Sequence, residues 1–249
     1  MSPLDLPADE VHVFYRHTHD LDASQIRQLQ ACLTPEESER IFRQRREQDR
    51  RDRVVARAVL RRLLSAIAQV DPRAWHFDCG PHGRPEIAAP QAWRNIRFNV
   101  SHTAGLVAWA FCWNRDVGID VEGIAHAPAL DELADCLTRQ EYERLAKTPE
   151  SGRGRDLIRA WTLKEAFTKA LGLGLGAPFG SFSIVRGAGD DFHLACSRDI
   201  ECSPASWRFL SRACGDNFVL STAVREGGSR CCRFVIHDDF DSRQGFDEL

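Results

Sequence analysis

The sequence lacks the features that mark membrane, secreted and zinc-binding proteins. Its longest apolar run, Leu106–Trp113, is far too short to cross a bilayer. The N-terminal segment has neither a basic start nor an apolar stretch, so no signal peptide is predicted. The nine cysteines are odd in number and none are in CxxC spacing, which argues against a disulfide framework and a zinc site. We therefore expect a reduced cytoplasmic protein without a membrane partner.

The chain also lacks a large excess of either charge. Its 249 residues carry a formal net charge of −3, from 33 basic and 36 acidic side chains, and 43% of the residues are hydrophobic. Neither half is basic enough to imply nucleic-acid binding through bulk charge, so no nucleic-acid partner is expected. The length and the apolar content suffice for a full core, in one large or two small domains.

Lysine is the scarcest charged residue, since only Lys147, Lys164 and Lys169 occur among the 33 basic residues. A compact ammonium that donates to a phosphate or carboxylate oxygen is not replaced by a planar guanidinium. Two of the three lysines lie in residues 161–175, WTLKEAFTKALGLGL, where a spacing of four places Glu165 and Lys169 on one helix face. This spacing also fits an ordinary surface ion pair, but the scarcity of lysine favours a chemical role.

An arginine-rich stretch in the first quarter of the chain predicts a long helical region. Thr34 followed by Pro35 and two acids is a typical helix start, and a break is expected near Arg45. Beyond it, arginines at steps of four, three, four and four form a basic stripe: Arg46, Arg50, Arg53, Arg57 and Arg61. Such a stripe fits either a solvated helix face or an anion-binding surface.

Two short motifs could also contact an anion. The sequence GRP at Gly83 predicts a turn that holds Arg84 on a stiff corner. A strand over residues 97–100 then ends in Ser101 and His102, whose hydroxyl and imidazole could donate hydrogen bonds to a phosphate. No GxSxG surrounds this serine, so a hydrolase site is not indicated. The simpler alternative is a turn hydroxyl beside a hydrogen-bonded histidine.

The sequence GIDVE at Gly118 predicts a strand with two carboxylates on one side. Alternation places Asp120 and Glu122 about 7 Å apart along that side, close enough to share a hard cation. The alternative is a solvent-facing strand surface. Residues 106–112 and 117–122 together predict a β-hairpin. Further along, residues 138–147 predict a helix, Gly172 is expected to end the helix that carries Lys169, and the C-terminal part is expected to be β-rich.

Four motifs follow one another along the chain: GRP at Gly83, FNVSH at Phe98, GIDVE at Gly118 and WTLKEAFTKALGLGL at Trp161. The series closely resembles the 4′-phosphopantetheinyl transferase superfamily, specifically its larger single-chain members of the kind that activate surfactin synthetase. The resemblance implies an α/β (α+β) fold of two similar subdomains related by a pseudo-twofold axis, with coenzyme A in the cleft between them. Residues 1–117 would take the nucleotide end of coenzyme A, and residues 118–249 would hold the metal and dock the carrier protein.

The resemblance also implies the reaction. A serine of an apo acyl or peptidyl carrier protein attacks the coenzyme A phosphorus nearest the pantetheine arm, and 3′,5′-ADP leaves. Transfer of this kind mostly needs charge neutralisation and alignment, which a magnesium ion and a few cationic donors supply. The protein is expected to act as a monomer, with its partner surface around residues 123–137 and the second subdomain.

Residue roles are carried over position by position. The metal-binding carboxylates match Asp120, Glu122 and Glu165, of which Asp120 also belongs to the coenzyme A site. The base that deprotonates the carrier serine is Glu165, Glu141 or a metal-bound water. The pyrophosphate contacts match Lys169, His102 and Ser101. The nucleotide and 3′-phosphate contacts match Arg53, Arg40 and Arg84, while Glu37 stands where the family has a lysine.

Two other hypotheses remain open from the sequence. One is a nucleic-acid-binding protein that uses the arginine stripe, although this would leave three acids idle and repulsive toward phosphate. The other is a non-catalytic protein that keeps coenzyme A as a structural ligand.

Overall fold

The computed structural model describes residues 4–80, 83–187, 189, 191–196, 203–226 and 232–238. They form two compact units. Unit 1 comprises the chain up to Asn114 together with the segment that starts at Arg233, and unit 2 runs from Arg115 to Cys232. Across these described residues, no helix has the length and apolar character needed to span a bilayer.

Five helices and eleven strands make up the described chain. The helices are α1 (Ala23–Gln30), α2 (Pro35–Phe42), α3 (Glu47–Ala68), α4 (Arg139–Lys147) and α5 (Glu150–Leu171). The strands are β1 (Glu10–His17), β2 (His76–Cys79), β3 (Pro85–Ala89), β4 (Ile96–Thr103), β5 (Leu106–Trp113), β6 (Val117–Gly123), β7 (Phe182–Arg186), β8 (Phe192–Cys196), β9 (Trp207–Cys214), β10 (Phe218–Arg225) and β11 (Arg233–His237). The predicted mixed α/β class is confirmed.

Unit 1 is built on a four-stranded sheet in the order β11-β1-β5-β4, with β2 and β3 as a separate ribbon. Strand β1 runs parallel to β11 and antiparallel to β5, which is antiparallel to β4. Helix α3 packs its apolar side on this sheet through residues such as Val55 and Leu63. The indole of Trp109 on β5 donates to the carbonyl oxygen of Ala56 at 2.9 Å and so ties the helix to the sheet.

Unit 2 is built on a three-stranded antiparallel sheet in the order β6-β10-β9, with β7 and β8 as a second ribbon. Helix α5 packs against β6 and β10 on one side. On another side it meets an aromatic core in which Phe167 contacts Phe182, Trp207 and Phe209. The helix is therefore covered by protein on more than one face, which explains its many buried residues.

Local signals predicted the start of α2, the break before α3 and the end of α5. Thr34 and Thr138 cap α2 and α4, each in a reciprocal capping box with the glutamate three residues further on. The break near Arg45 lies between α2 and α3. Gly172 ends α5 in the left-handed conformation, with a φ of 71°, as expected of a glycine at that position.

One prediction about chain connection is wrong. Strands β5 and β6 do not form a hairpin, because β1 and β4 take both edges of β5 and β6 pairs with β10. The two compact units meet after Asn114, and β11 lies in unit 1 although it comes late in the chain. It joins unit 1 because it pairs with β1, with Arg233 donating its amide to the carbonyl oxygen of Asp9 at 2.9 Å.

Candidate functional site

Helix α5 and strand β6 approach each other unusually closely in unit 2. Gly118 makes this approach possible, because a Cβ at that position would lie 2.0 Å from the carbonyl oxygen of Ala166 and 2.5 Å from the amide nitrogen of Ala170. No side chain fits such a space in a close-packed interior. The glycine of the GIDVE motif therefore brings the carboxylate that follows it on β6, Asp120, within reach of the helix.

Lys169 and Asp120 form an ion pair across this contact. The Nζ of Lys169 donates to Oδ1 of Asp120 at 2.6 Å. The Asp120 side chain is only 4% exposed, whereas the Lys169 side chain keeps 29% of its surface. The ammonium therefore bonds a buried carboxylate on another element while part of it stays accessible. Lys169 therefore does not form the exposed ion pair within one helix that its spacing from Glu165 also allowed.

Glu165 is buried beside this pair. Burial raises the pKa of Glu165 to about 7, and the charges of Asp120 and Glu122 act in the same direction. The ammonium of Lys169 opposes this rise. Oε1 of Glu165 is buried and accepts no hydrogen bond from the described part of the chain. A carboxyl group with an open acceptor and a pKa near neutrality can either ligate a cation or exchange a proton.

We call three carboxylates of unit 2 the acidic cluster: Asp120, Glu122 and Glu165. They have the donor chemistry that a magnesium ion prefers. Small hard cations take carboxylate oxygens, and a cation would relieve the mutual repulsion that helps to raise the pKa of Glu165. The described residues contain no group of three histidine, cysteine, aspartate or glutamate side chains already arranged to hold a metal. Lys169 supplies the positive charge beside Asp120. The acidic cluster thus fits the metal in chemistry without a preassembled ligand set.

Glu141, the other acid considered as a base, has internal partners. Its Oε2 lies 2.7 Å from the Nζ of Lys164 and accepts the backbone amide of Thr138 at 2.9 Å. Lys164 is fully buried. The two lysines of the WTLKEAFTKALGLGL motif therefore have different partners, since Lys164 bonds inside unit 2 and Lys169 bonds the acidic cluster.

A separate cavity in unit 1, of about 200 Å³, gathers three predicted coenzyme A contacts. Helices α2 and α3 and strand β4 contribute Arg40, Arg53 and His102 to its lining. Arg57 lines the same cavity, although its spacing in the basic stripe does not distinguish it from the other arginines. Two guanidinium groups, an imidazole and this additional arginine make an environment suited to an anion. We call this space the arginine cavity.

Arg57 is the member of the arginine cavity with the clearest open donor. Its Nη1 is buried and donates to none of the described residues. Burial lowers the pKa of Arg57, and the nearby carboxylate of Glu37 opposes that change. Glu37 is already engaged by the buried Arg61, which donates to both carboxylate oxygens at 2.9 and 2.8 Å. Arg61 therefore neutralises Glu37, the acid in the family's lysine position. Nη1 of Arg57 is left for another acceptor.

Two other predicted residues do not line the arginine cavity. Arg84 lines a second cavity of unit 1, of about 340 Å³, that shares Pro85 with the first. Gly83 before it has a φ of 78°, which explains the glycine of the GRP turn. Ser101 is buried, and strand alternation directs it to the opposite face of β4 from His102.

The basic stripe is not a continuous exposed surface. Arg61 is buried and donates to the carbonyl oxygens of Pro72 and Trp75. Arg50 donates to the carbonyl oxygen of Gln44 at 3.0 Å. These internal bonds remove cations that a nucleic-acid backbone would need, so the stripe gives that hypothesis little support.

Family models match both halves of the chain. The model described as 4′-phosphopantetheinyl transferase superfamily matches residues 116–223, and the one described as 4′-phosphopantetheinyl transferase, N-terminal, matches residues 21–114. The two matches meet where unit 1 gives way to unit 2.

Individual proteins are similar over most or part of the chain. The 4′-phosphopantetheinyl transferase HetI of Nostoc sp. is 32% identical over 222 residues, covering 89% of this chain and 90% of that protein. The 4′-phosphopantetheinyl transferase Sfp of Bacillus subtilis is 29% identical and covers 61% of this chain and 66% of that protein. A holo-(acyl-carrier-protein) synthase from Bacillus anthracis, solved in complex with CoA (3′,5′-ADP), is 19% identical with a TM-score of 0.38, over 45% of this chain and 96% of that one.

Proposed function

The chain belongs to the 4′-phosphopantetheinyl transferase superfamily, and from this membership we propose that it transfers the 4′-phosphopantetheine arm of coenzyme A to a serine of an apo acyl or peptidyl carrier protein. The products are the holo carrier and 3′,5′-ADP. For this chain, the proposal depends most on the acidic cluster together with Lys169, enclosed between β6 and α5. That site combines oxygen ligands, a cationic donor and a carboxylate with an open acceptor oxygen.

The residues of unit 2 divide the chemical work. Asp120, Glu122 and Glu165 would hold a magnesium ion, which when bound neutralises charge on the pyrophosphate. The partly exposed ammonium of Lys169 donates to a pyrophosphate oxygen and stabilises the charge that develops there. Glu165 takes the proton of the carrier serine, directly or through a water molecule, because its carboxylate has an open acceptor oxygen beside the cluster.

The arginine cavity in unit 1 binds the nucleotide end of coenzyme A in this proposal. Arg53 and Arg57 face the 3′-phosphate, and Nη1 of Arg57 gains the acceptor that the chain itself does not supply. His102 contributes a further donor from β4. The enzyme works as a monomer in the cytoplasm, with coenzyme A and the apo carrier protein as its substrates.

The direct test is intact-mass analysis of apo carrier proteins incubated with the enzyme, coenzyme A and magnesium. We expect a mass gain of one phosphopantetheine per carrier. A carrier with alanine at the modified serine controls for labelling elsewhere. Excess chelator tests the metal requirement. If folded enzyme leaves apo acyl and peptidyl carriers unmodified, the proposed transfer is wrong, whereas turnover excludes a merely structural use of coenzyme A.

Asp120→Asn tests the site itself, because the amide keeps the volume of the side chain and removes its charge. We expect a loss of roughly a thousandfold in transfer rate, the magnitude typical of losing a preorganised electrostatic contact. A thermal melt should stay near that of the wild type, which would show that the loss is chemical. Transfer at the wild-type rate by this variant would exclude the acidic cluster as the site.

A further inference from the structure

Lys164 is a charged side chain held entirely within unit 2. Its Nζ lies 2.7 Å from Oε2 of Glu141. It also donates to three backbone carbonyl oxygens, those of Cys136 at 3.0 Å, Phe179 at 2.8 Å and Phe182 at 2.7 Å. A buried ammonium is tolerated only with such a full set of acceptors. The first of the two lysines in the motif therefore has a purely internal environment.

The oxygen of Glu141 that faces Lys164, Oε2, has further hydrogen-bond partners. Besides Lys164, Oε2 accepts the backbone amide of Thr138 at 2.9 Å and the hydroxyl of Thr138 at 3.1 Å. That hydroxyl lies 2.8 Å from the hydroxyl of Ser183, which links the pair to β7. A carboxylate oxygen has about two lone-pair sites, so these contacts engage Oε2 fully in bonds within unit 2.

The pair joins α5 to four other segments. Glu141 belongs to α4, Cys136 ends the 3₁₀ segment Leu130–Cys136, Phe179 begins the 3₁₀ turn Phe179–Ser181, and Phe182 begins β7. Successive residues of a helix point about 100° apart. When Lys164 is held on one side, the rotation of α5 is fixed, and Glu165 is directed toward the other members of the acidic cluster.

We infer that Lys164 and Glu141 act together as a positioning pair that orients Glu165, and that Glu141 is not the base. The inference rests on the proposed function. It explains why this position carries a lysine in a chain that otherwise uses arginine, since a compact ammonium reaches three carbonyls and one carboxylate where a planar fork does not fit.

The first test is Glu141→Gln, which keeps the shape of the side chain and an oxygen that still accepts from Lys164. If Glu141 only positions, kcat should stay within a factor of about three of the wild type. If Glu141 is the base, kcat should fall by roughly a hundred- to ten-thousandfold without a change in the melt. If the wild-type enzyme transfers normally and Glu141→Gln shows this large loss of kcat, the inference is overturned and the proposed function stands. Absence of transfer by the wild type would instead count against the proposed function.

The second test separates positioning from stability. Lys164→Met should lower kcat by roughly a hundredfold at a temperature where the variant is fully folded, because displacement of a catalytic group by about 1 Å has that cost. The KM for coenzyme A should change less than kcat, since the arginine cavity that binds the nucleotide end lies in unit 1 and Lys169 is retained. The double variant Lys164→Met with Glu141→Gln should recover part of the lost stability but not the rate, because it no longer buries an unpaired carboxylate and still lacks the ammonium that orients α5.

Lys147→Met is the matched control, since Lys147 is the exposed lysine at the end of α4. It should leave kcat and the melt unchanged. A wild-type kcat for folded Lys164→Met would reject the positioning role. If Lys164→Met does not fold, the result for Glu141→Gln decides between a positioning pair and a base.

Discussion

The two units place charged side chains differently on the same kind of scaffold. Each has a 22-residue helix packed on a β-sheet: α3 lies on the mixed sheet of unit 1, and α5 lies on the antiparallel sheet of unit 2. Helix α3 packs apolar residues on its sheet and leaves Arg53 at the rim of an open cavity. Helix α5 instead brings Glu165 and Lys169 against its sheet, beside a buried aspartate on β6. The first arrangement suits reversible binding of an anion, and the second suits chemistry that needs fixed distances.

The comparison predicts unequal sensitivity to mutation. A cavity wall of long, partly solvated arginines can adjust when one member is lost, because the others move and water enters. Charges buried between a helix and a strand cannot adjust, because close packing fixes the two backbones. Changes in unit 2 should therefore cost more than changes in unit 1.

The largest effect is expected from Gly118→Ala. The new Cβ would meet two backbone atoms of α5, so the helix must move away from β6. We expect a loss of about 3 kcal/mol in the free energy of unfolding, at the upper end for overpacking, and a much reduced transfer rate. Chemical denaturation and single-turnover transfer measure both.

The control for this prediction is Gly154→Ala, because Gly154 lies inside α5 with only Ala127 Cβ nearby, at 3.6 Å. Alanine there should be neutral or stabilise by roughly 0.5 to 1 kcal/mol through better helix propensity. Equal stabilities of the two variants would contradict the proposed close contact at Gly118.

Lys169→Arg should have the next largest effect. The change keeps the positive charge but replaces a compact ammonium, 2.6 Å from Oδ1 of Asp120, with a broad planar group. We expect transfer to fall roughly a hundredfold, as for the loss of one preorganised donor. Single-turnover transfer at saturating coenzyme A, beside a thermal melt, tests this. Near wild-type transfer would rule out a point-charge role for Lys169.

Arg57→Ala tests the weaker dependence of unit 1 on any one residue. We expect coenzyme A to bind roughly tenfold more weakly, because one charge-assisted hydrogen bond is lost. Dephospho-coenzyme A, which lacks the 3′-phosphate, should bind about equally to both proteins. Folding should change little, since Arg61 continues to neutralise Glu37. Isothermal calorimetry measures the affinity for both ligands. An equal loss of affinity for coenzyme A and dephospho-coenzyme A would show that Arg57 acts only in packing.

The smallest effect concerns His237 on β11. Burial, aided by the neighbouring His12, lowers the pKa of His237 to about 4. Between its ordinary pKa and about 4 the unfolded chain binds a proton that the folded chain does not, so stability falls as the pH drops through this range. Because the ring is only partly buried, we expect a loss of about 1 kcal/mol between pH 7 and pH 4.5.

His237→Phe is the matched variant for this pH dependence, because phenylalanine keeps the stacking on Phe14, whose ring centroid lies 4.1 Å away. Urea unfolding at several pH values should show a smaller loss for the variant than for the wild type. Identical pH dependence in the two proteins would exclude His237 as a contributor.

Local signals in the sequence predicted much of the fold, and they failed where partners are distant. The hydroxyl caps at Thr34 and Thr138 and the glycine at Gly172 act within one helical turn, so a single sequence reveals them. The hairpin between β5 and β6 failed because strand pairing depends on which edges are already taken. The parallel pairing of β11 with β1 joins opposite ends of the chain, and alternation alone carries no information about it.

The candidate site shows the same division. The spacing of GIDVE and of WTLKEAFTKALGLGL identified Asp120, Glu122, Glu165 and Lys169 as residues of interest, and their roles remain predictions. The partner of Lys169 could not be predicted from helix spacing, because it lies on a strand 49 residues earlier. Nor could the spacing single out Arg57 in the basic stripe. Among the five arginines of the basic stripe, only Arg57 has a buried Nη1 that finds no acceptor in the described residues.

The sequence by itself determined the caps, the motif series and the family, because these depend on residue types at short spacings. Only the tertiary structure decided which charges share an environment. Gly118 lets two backbones approach and places an ammonium on a buried carboxylate, while Lys164 is surrounded by four oxygens from separate segments. The pKa of Glu165 follows from that enclosure, because desolvation and neighbouring charge depend on distances that arise when the chain folds.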